Sequence, residues 1–304
     1  MSRITKLKIS TIVNIVVVAL FLITATWFIV VNKDAFINVN VVPIFFAVPF
    51  AILSIWLNGQ QIKISLTAHH VYLKEPFWLV ATSSWLNLVS PVRAGIVFRA
   101  WFLKMGYQLT YYRFITSVGG LCLVTILNSS FVVLLVIIYL SFSNEGGNLS
   151  RYLALFSSII AITLVVIILS NKIKLPAKFD HLLHSWRSIL GNQRILFGVA
   201  AYQLVYLISE SVFLMLIFQS INIDVGILGA LLITAISSIL LFISFTPGGI
   251  GLLEAYYIFV GFYMGIAAED MFTLAIIRRG IDLIVLTIFG FFGKLLLDRR
   301  IRDK

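Results

Sequence analysis

Charge is what this sequence has least of. Asp, Glu, Lys and Arg together make up 12% of its 304 residues, about half the roughly 25% of an ordinary soluble domain. A separate soluble domain is therefore not expected. The longest polar stretch, Asn171 to Arg194, suffices for one or two interfacial helices. The single cysteine, Cys122, excludes an internal disulfide and a cysteine-based metal site. In its apolar run it reads as a small buried residue. None of the 4 histidines lies within an apolar span, so no nucleophile–base constellation is expected there. The 12 acidic residues are too dispersed for a metal-binding carboxylate cluster. "GGIG", Gly248 to Gly251, lacks the Lys-Ser/Thr of a phosphate loop. Hence no metal, no cofactor and no enzyme activity are expected. The net charge of +11 would suit nucleic acid, but the basic residues flank apolar segments. Membrane is the expected partner, not nucleic acid.

What the chain has is hydrophobicity: 61% of residues are apolar and the mean hydropathy is +1.05. The expected class is an all-α polytopic membrane protein, one integral membrane domain over 1–304. Six apolar runs are long enough to cross a bilayer: 11–31, 41–58, 113–142, 152–170, 196–219 and 271–297. The first follows a basic start, "MSRITKLKIS", and no small-residue cleavage site ends it, so it reads as an uncleaved signal anchor. Two further apolar stretches are broken by Pro and Gly: 77–103 around "SPVRAG" and 227–266 around "TPGGIG". We read both as re-entrant helical hairpins; the alternative gives each two full crossings, and eight or more spans in all.

With the N-terminus in the cytoplasm, basic residues from Arg3 to Lys304 collect on the inside, and the outside keeps only Lys33 and Arg151. That matches the positive-inside rule for a cell (inner) membrane protein with both termini cytoplasmic. Each half, 1–142 and 152–304, then reads span, span, hairpin, span. Three crossings are an odd number, so the second half is inverted and the two hairpins enter from opposite sides, as in transporters. Pro91 and Gly95 have the spacing of Pro247 and Gly251, and a Met-Gly pair follows each.

Irregular backbone at membrane depth requires protein or a water-filled cavity around it. Pro247 ends one helix and can start another, while Gly248, Gly249 and Gly251 permit a tight turn and close approach. Gly261 and Gly265 have the spacing of close helix packing. Ionisable residues inside apolar segments are costly and so are candidates for function: Arg93, Arg99, Glu210, Glu254, Arg278, Arg279 and Asp282. Arg278 and Asp282 share a helix face, Arg279 needs another partner such as Glu254, and Glu210 has none in its own segment. Arg99 could reach the interface. The excess of arginine, beside two helix N-termini, favours an anion, and arginine grips phosphate bidentately. Arg93, Arg278 and Arg279 are expected to hold a lipid phosphate, and Glu254 to balance them or receive an ammonium group.

His181 and His184 could bind a metal with Asp180, but their basic amphipathic segment reads better as a helix on an anionic leaflet. His69 and His70 read as interfacial. Trp27, Trp56, Trp78, Trp85 and Trp101 fall mostly near expected span ends, as interfacial aromatics do.

"NLVSPVRAGIVFRAWFLKMG", Asn87 to Gly106, and "FTPGGIGLLEAYYIFVGFYMGIAAEDMFTLAIIRRGIDLI", Phe245 to Ile284, resemble the flippase-like transmembrane family of the lysylphosphatidylglycerol synthase membrane region. The Pro-Gly-Gly-x-Gly-x-x-Glu element with a late Arg is the more specific part. The resemblance implies a stand-alone member without the soluble synthase domain. It implies a translocator of an anionic or aminoacylated phospholipid, or of a polyprenyl-linked lipid. The alternatives are a membrane transferase, or a non-transporting partner of a synthase or glycosyltransferase in envelope lipid synthesis. Members often carry Glu where this chain has Ile96, and further charges where it has "SVGGLCLV". The first half has thus lost charges that the second keeps.

Overall fold

The computed structural model describes residues 23–31, 33–90, 94–142, 191–243 and 249–302, with a few isolated positions besides. The expected spans 11–31 and 152–170 lie largely outside them. So do the segment holding Asp180, His181 and His184, and the candidates Pro91, Arg93, Pro247 and Gly248. The helices are α1 (Lys33–Ile37), α2 (Val41–Thr67), α3 (Pro76–Val89), α4 (Ala94–Tyr107), α5 (Tyr111–Phe142), α6 (Gln193–Ser220), α7 (Gly226–Ile243), α8 (Leu252–Met264) and α9 (Ala268–Arg302). No strand occurs among the described residues. The protein is an all-α polytopic membrane protein. Four helices, α2, α5, α6 and α9, are long and apolar enough to cross a membrane. They correspond to four of the six expected spans.

Local chemistry sets the helix starts. Asn40 caps α2 by accepting from the Val42 N–H at 3.0 Å, and Asn192 caps α6 by accepting from the Ile195 N–H at 3.3 Å. Pro76 opens α3, where its missing N–H costs nothing.

Helices α2 and α6 form an antiparallel pair. At one end the Asn40 N–H donates to the Ser220 carbonyl at 2.8 Å. Midway the Ser54 and Ser209 hydroxyls lie 3.5 Å apart, and at the far end Gly198 sits against Ile64. In the absence of a hydrophobic drive between helices in lipid, such small-residue contacts let backbones approach.

Helices α3 and α4 fold back on each other. The Tyr107 hydroxyl donates to Glu75 Oε2 at 2.8 Å, Arg99 to Ser83 Oγ at 2.6 Å, and the Gly95 N–H to Asn87 Oδ1 at 2.9 Å. The register is that of one antiparallel hairpin with its tip between Val89 and Ala94. Each arm has 14 residues, about 21 Å, too short for a hydrocarbon core of about 30 Å. Helices α7 and α8 form the second hairpin. The Tyr256 hydroxyl donates to the Ile233 carbonyl at 3.0 Å, and Gly229 faces Met264.

The two hairpins start from opposite ends of the α2/α6 pair. The first follows the Thr67 end of α2, and the second follows the Ser220 end of α6. Helix α9 joins them. It begins beside the base of the second hairpin and ends at the base of the first, where Arg300 pairs with Glu75 and stacks 5.1 Å over Tyr107. Its second half lies directly on α3. A Cβ on Gly290 would come within 2.3 Å of Trp85 Cβ, and one on Gly293 within 2.6 Å of Thr82 Oγ1. Trp85 thus packs at the α3/α9 seam, against Phe291 as well, and not at a bundle end.

One expectation needs correction. Gly261 does serve packing, since a Cβ there would meet Met271 at 2.3 Å. Gly265 has a different job: it ends α8 in the left-handed conformation, φ 70°, which glycine adopts without strain.

Candidate functional site

The hairpin tips meet on one face of α9. A cavity of about 320 Å³ is lined by Ser84, Asn87 and Leu88 from α3, Leu253, Glu254 and Tyr257 from α8, and Ala275, Arg278, Arg279, Asp282 and Leu286 from α9. The α9 positions recur every three or four residues, the period of one helical face. The α8 residues are in its first two turns, so the break before α8 decides what reaches the cavity.

That break is built around two glycines with positive φ, Gly249 at 71° and Gly251 at 85°. Gly251 is the N-cap of α8. Its N–H donates to Glu254 Oε2 at 2.7 Å, while Glu254 Oε1 accepts from Arg279 Nε. One carboxylate therefore satisfies the helix N-terminus and an arginine together. The anion-binding end anticipated at α8 is already engaged by the protein's own Glu254.

Arg278 is held on three sides. Its Nη2 donates to Glu210 Oε2 on α6 at 2.9 Å, and Nη1 donates to the Tyr257 hydroxyl. Its guanidinium lies 5.6 Å over the Phe213 ring and 5.9 Å over that of Tyr257, within cation–π range. Asp282, one turn along, is 3.9 Å from Arg278 Nε. Glu210 and Glu254 are 7% and 5% exposed, but the Asp282 side chain is 40% exposed and faces the cavity.

The structure brings together Glu210, Gly249, Gly251, Glu254, Arg278, Arg279 and Asp282, all from the second half of the chain. Arg99 stands apart. It does not line the cavity and donates through Nε and Nη2 to Ser83 Oγ within its own hairpin. The first hairpin supplies only neutral groups among the described residues, in keeping with its lost charges. Those groups, Ser84 and Asn87, and Tyr257 on α8 carried no charge to mark them in the sequence. Their one signal was position, beside the two Pro/Gly breaks. Among the described residues the cavity and its direct partners hold two arginines and three carboxylates; Arg93, part of the expected excess of positive charge, lies outside them.

No group of three or more His, Cys, Asp or Glu suited to a metal occurs among the described residues. Outside the membrane-spanning helices, His69 is 8% exposed, and burial, with Arg113 nearby, lowers its pKa to about 4. It is a neutral structural residue at the helix end.

No curated protein and no solved structure significantly matches the chain. A family model does: that of the lysylphosphatidylglycerol synthase TM region, over residues 10–290. With nearly its whole length matched, and with its apolar spans, the chain is an integral membrane protein that belongs to this family.

Proposed function

We propose that the protein is a lipid translocator, in which a phospholipid or lipid-linked headgroup passes through the cavity between the hairpin tips while the acyl chains stay in the bilayer. The observation that carries this reading is a partly open cavity, lined by two arginines and two carboxylates among apolar groups, between the tips of hairpins that start from opposite ends of the bundle. Its volume of about 320 Å³ is at the small end for ligand sites, which suits a headgroup and leaves no room for acyl chains. Discontinuous helices that meet around a site near the midplane are how alternating-access transporters bind cargo.

A repeat of inverted topology is part of this reading. The sequence shift that carries Pro91 onto Pro247 also carries Gly95 onto Gly251, and it lays α2, α3, α4 and α5 in order on α6, α7, α8 and α9. Of these pairs, α2 and α6 run antiparallel. Among the described residues Lys74, Lys104, Arg113, Arg194 and Arg300 cluster at the end where the first hairpin starts, against Lys33 at the other; in this reading the positive-inside rule makes the first end cytoplasmic in a cell membrane. The charge balance at the cavity shifts the preferred cargo from a bare anion to an aminoacylated headgroup. Its phosphate faces arginine and its ammonium a carboxylate.

Proteoliposomes carrying a fluorescent aminoacylated phosphatidylglycerol test this. The double variant Glu254→Gln with Arg279→Gln removes two opposite charges without stranding either. It is expected to abolish leaflet exchange, at least tenfold below wild type, with the fold retained. Wild-type exchange by this variant refutes the cavity as the path, and no exchange by the wild-type protein refutes the translocator reading. Conversion of the lipid to a product of different mass by the wild-type protein would favour a transferase instead.

A further inference from the structure

The three carboxylates at the cavity are not equally committed. Glu254 uses both oxygens, one on the Gly251 N–H and one on Arg279. Glu210 takes a direct hydrogen bond from Arg278. Asp282 accepts no hydrogen bond from the described residues; at 3.9 Å from Arg278 Nε it is beyond hydrogen-bond reach. It is also the one that opens most to the cavity. Among the described residues the groups facing it are Arg278 and Arg279 on its own helix, Glu210 and Tyr206 on α6, Glu254 and Tyr257 on α8, and the neutral Ser84 and Asn87 on α3. Among the described residues each arginine already has a closer acid, so Asp282 is the carboxylate left over there. An unbonded carboxylate at membrane depth, even one open to a cavity, is relieved by taking a proton or a cation.

We infer that Asp282 is a proton-exchange site: it holds a proton in the empty cavity and releases it when an ammonium group enters. In balance, a carboxylic acid and an incoming ammonium become a carboxylate–ammonium pair, and one proton leaves to bulk water. This inference rests on the proposed function for its cargo and adds a coupling ion. Loading from one side and proton uptake on the other would tie headgroup movement to the proton gradient. Glu254, the other conceivable coupling acid, is excluded by its two fixed partners.

The test is infrared difference spectroscopy of the protein reconstituted in phosphatidylglycerol vesicles, titrated from mildly acidic to mildly alkaline pH. The wild type is expected to show a protonated-carboxyl C=O band that bleaches as pH rises. Asp282→Asn should lack it, and Asp282→Glu should retain it at a shifted position. Adding phosphatidylethanolamine, whose headgroup carries an ammonium, should move the wild-type bleaching to lower pH. Identical titrations in wild type and Asp282→Asn overturn the assignment, and no effect of phosphatidylethanolamine overturns the exchange. If the Asp282 band titrates and responds as stated but no lipid crosses in the transport assay, the proton site stands and the translocator reading alone fails.

Discussion

At the scale of single residues, Glu254 is the hinge pin of the site. It occupies N3 of α8, reaches back to the N-cap N–H and holds Arg279 with its other oxygen. Breaking a buried ion pair from one side strands the remaining charge, at a cost of about 3–5 kcal/mol. Glu254→Gln alone should therefore lower stability by about that much, while adding Arg279→Gln should recover most of it. Thermal unfolding of the two variants in one detergent measures both terms. Some of this pairing was legible in the sequence. Arg279 and Glu254 could be matched because few opposite charges lie in apolar segments. The Arg278–Asp282 match was legible through helical spacing, yet the stronger bond goes to Glu210, at 2.9 Å against 3.9 Å. Spacing along one helix reports who shares a face, but not what a neighbouring helix offers from closer by.

At the scale of elements, the first hairpin depends on the absence of side chains at its tip. A Cβ on Gly95 would lie 1.7 Å from the Ser83 carbonyl oxygen, a backbone atom that cannot move aside alone. Gly95→Ala should cost about 1–3 kcal/mol, the usual range for overpacking. Gly280 in α9 has nothing within 4 Å of an added Cβ. Gly280→Ala should instead stabilise by about 0.5–1 kcal/mol, because alanine has less backbone entropy to lose. Thermal midpoints should thus move in opposite directions for the same chemical change; the same direction for both would contradict the packing described. The breaks were readable from Pro and Gly alone. Which glycine does what was not, since Gly261 and Gly265 share a spacing motif but serve as contact and cap.

At the scale of the whole molecule, the hairpins start from opposite ends of the bundle, and this has a direct consequence. In a Cys122→Ser background, Tyr72→Cys beside the first hairpin and Asp224→Cys beside the second should react with an impermeant thiol reagent from opposite sides of the membrane. Labelling of both from one side would reject the opposed hairpins. The sequence alone determined that this is a helical membrane protein, where four of its spans lie and which ionisable residues interrupt its apolar segments. Those features are local: lipid demands unbroken apolar runs with internally satisfied backbones, so any exception shows in composition. Only the tertiary structure decided that α3 contributes Ser84 and Asn87, that Tyr257 and Glu210 grip Arg278, and that Asp282 accepts no hydrogen bond from the described residues. Such choices depend on which helices become neighbours, and no spacing within a segment encodes a partner on α6 for an arginine on α9.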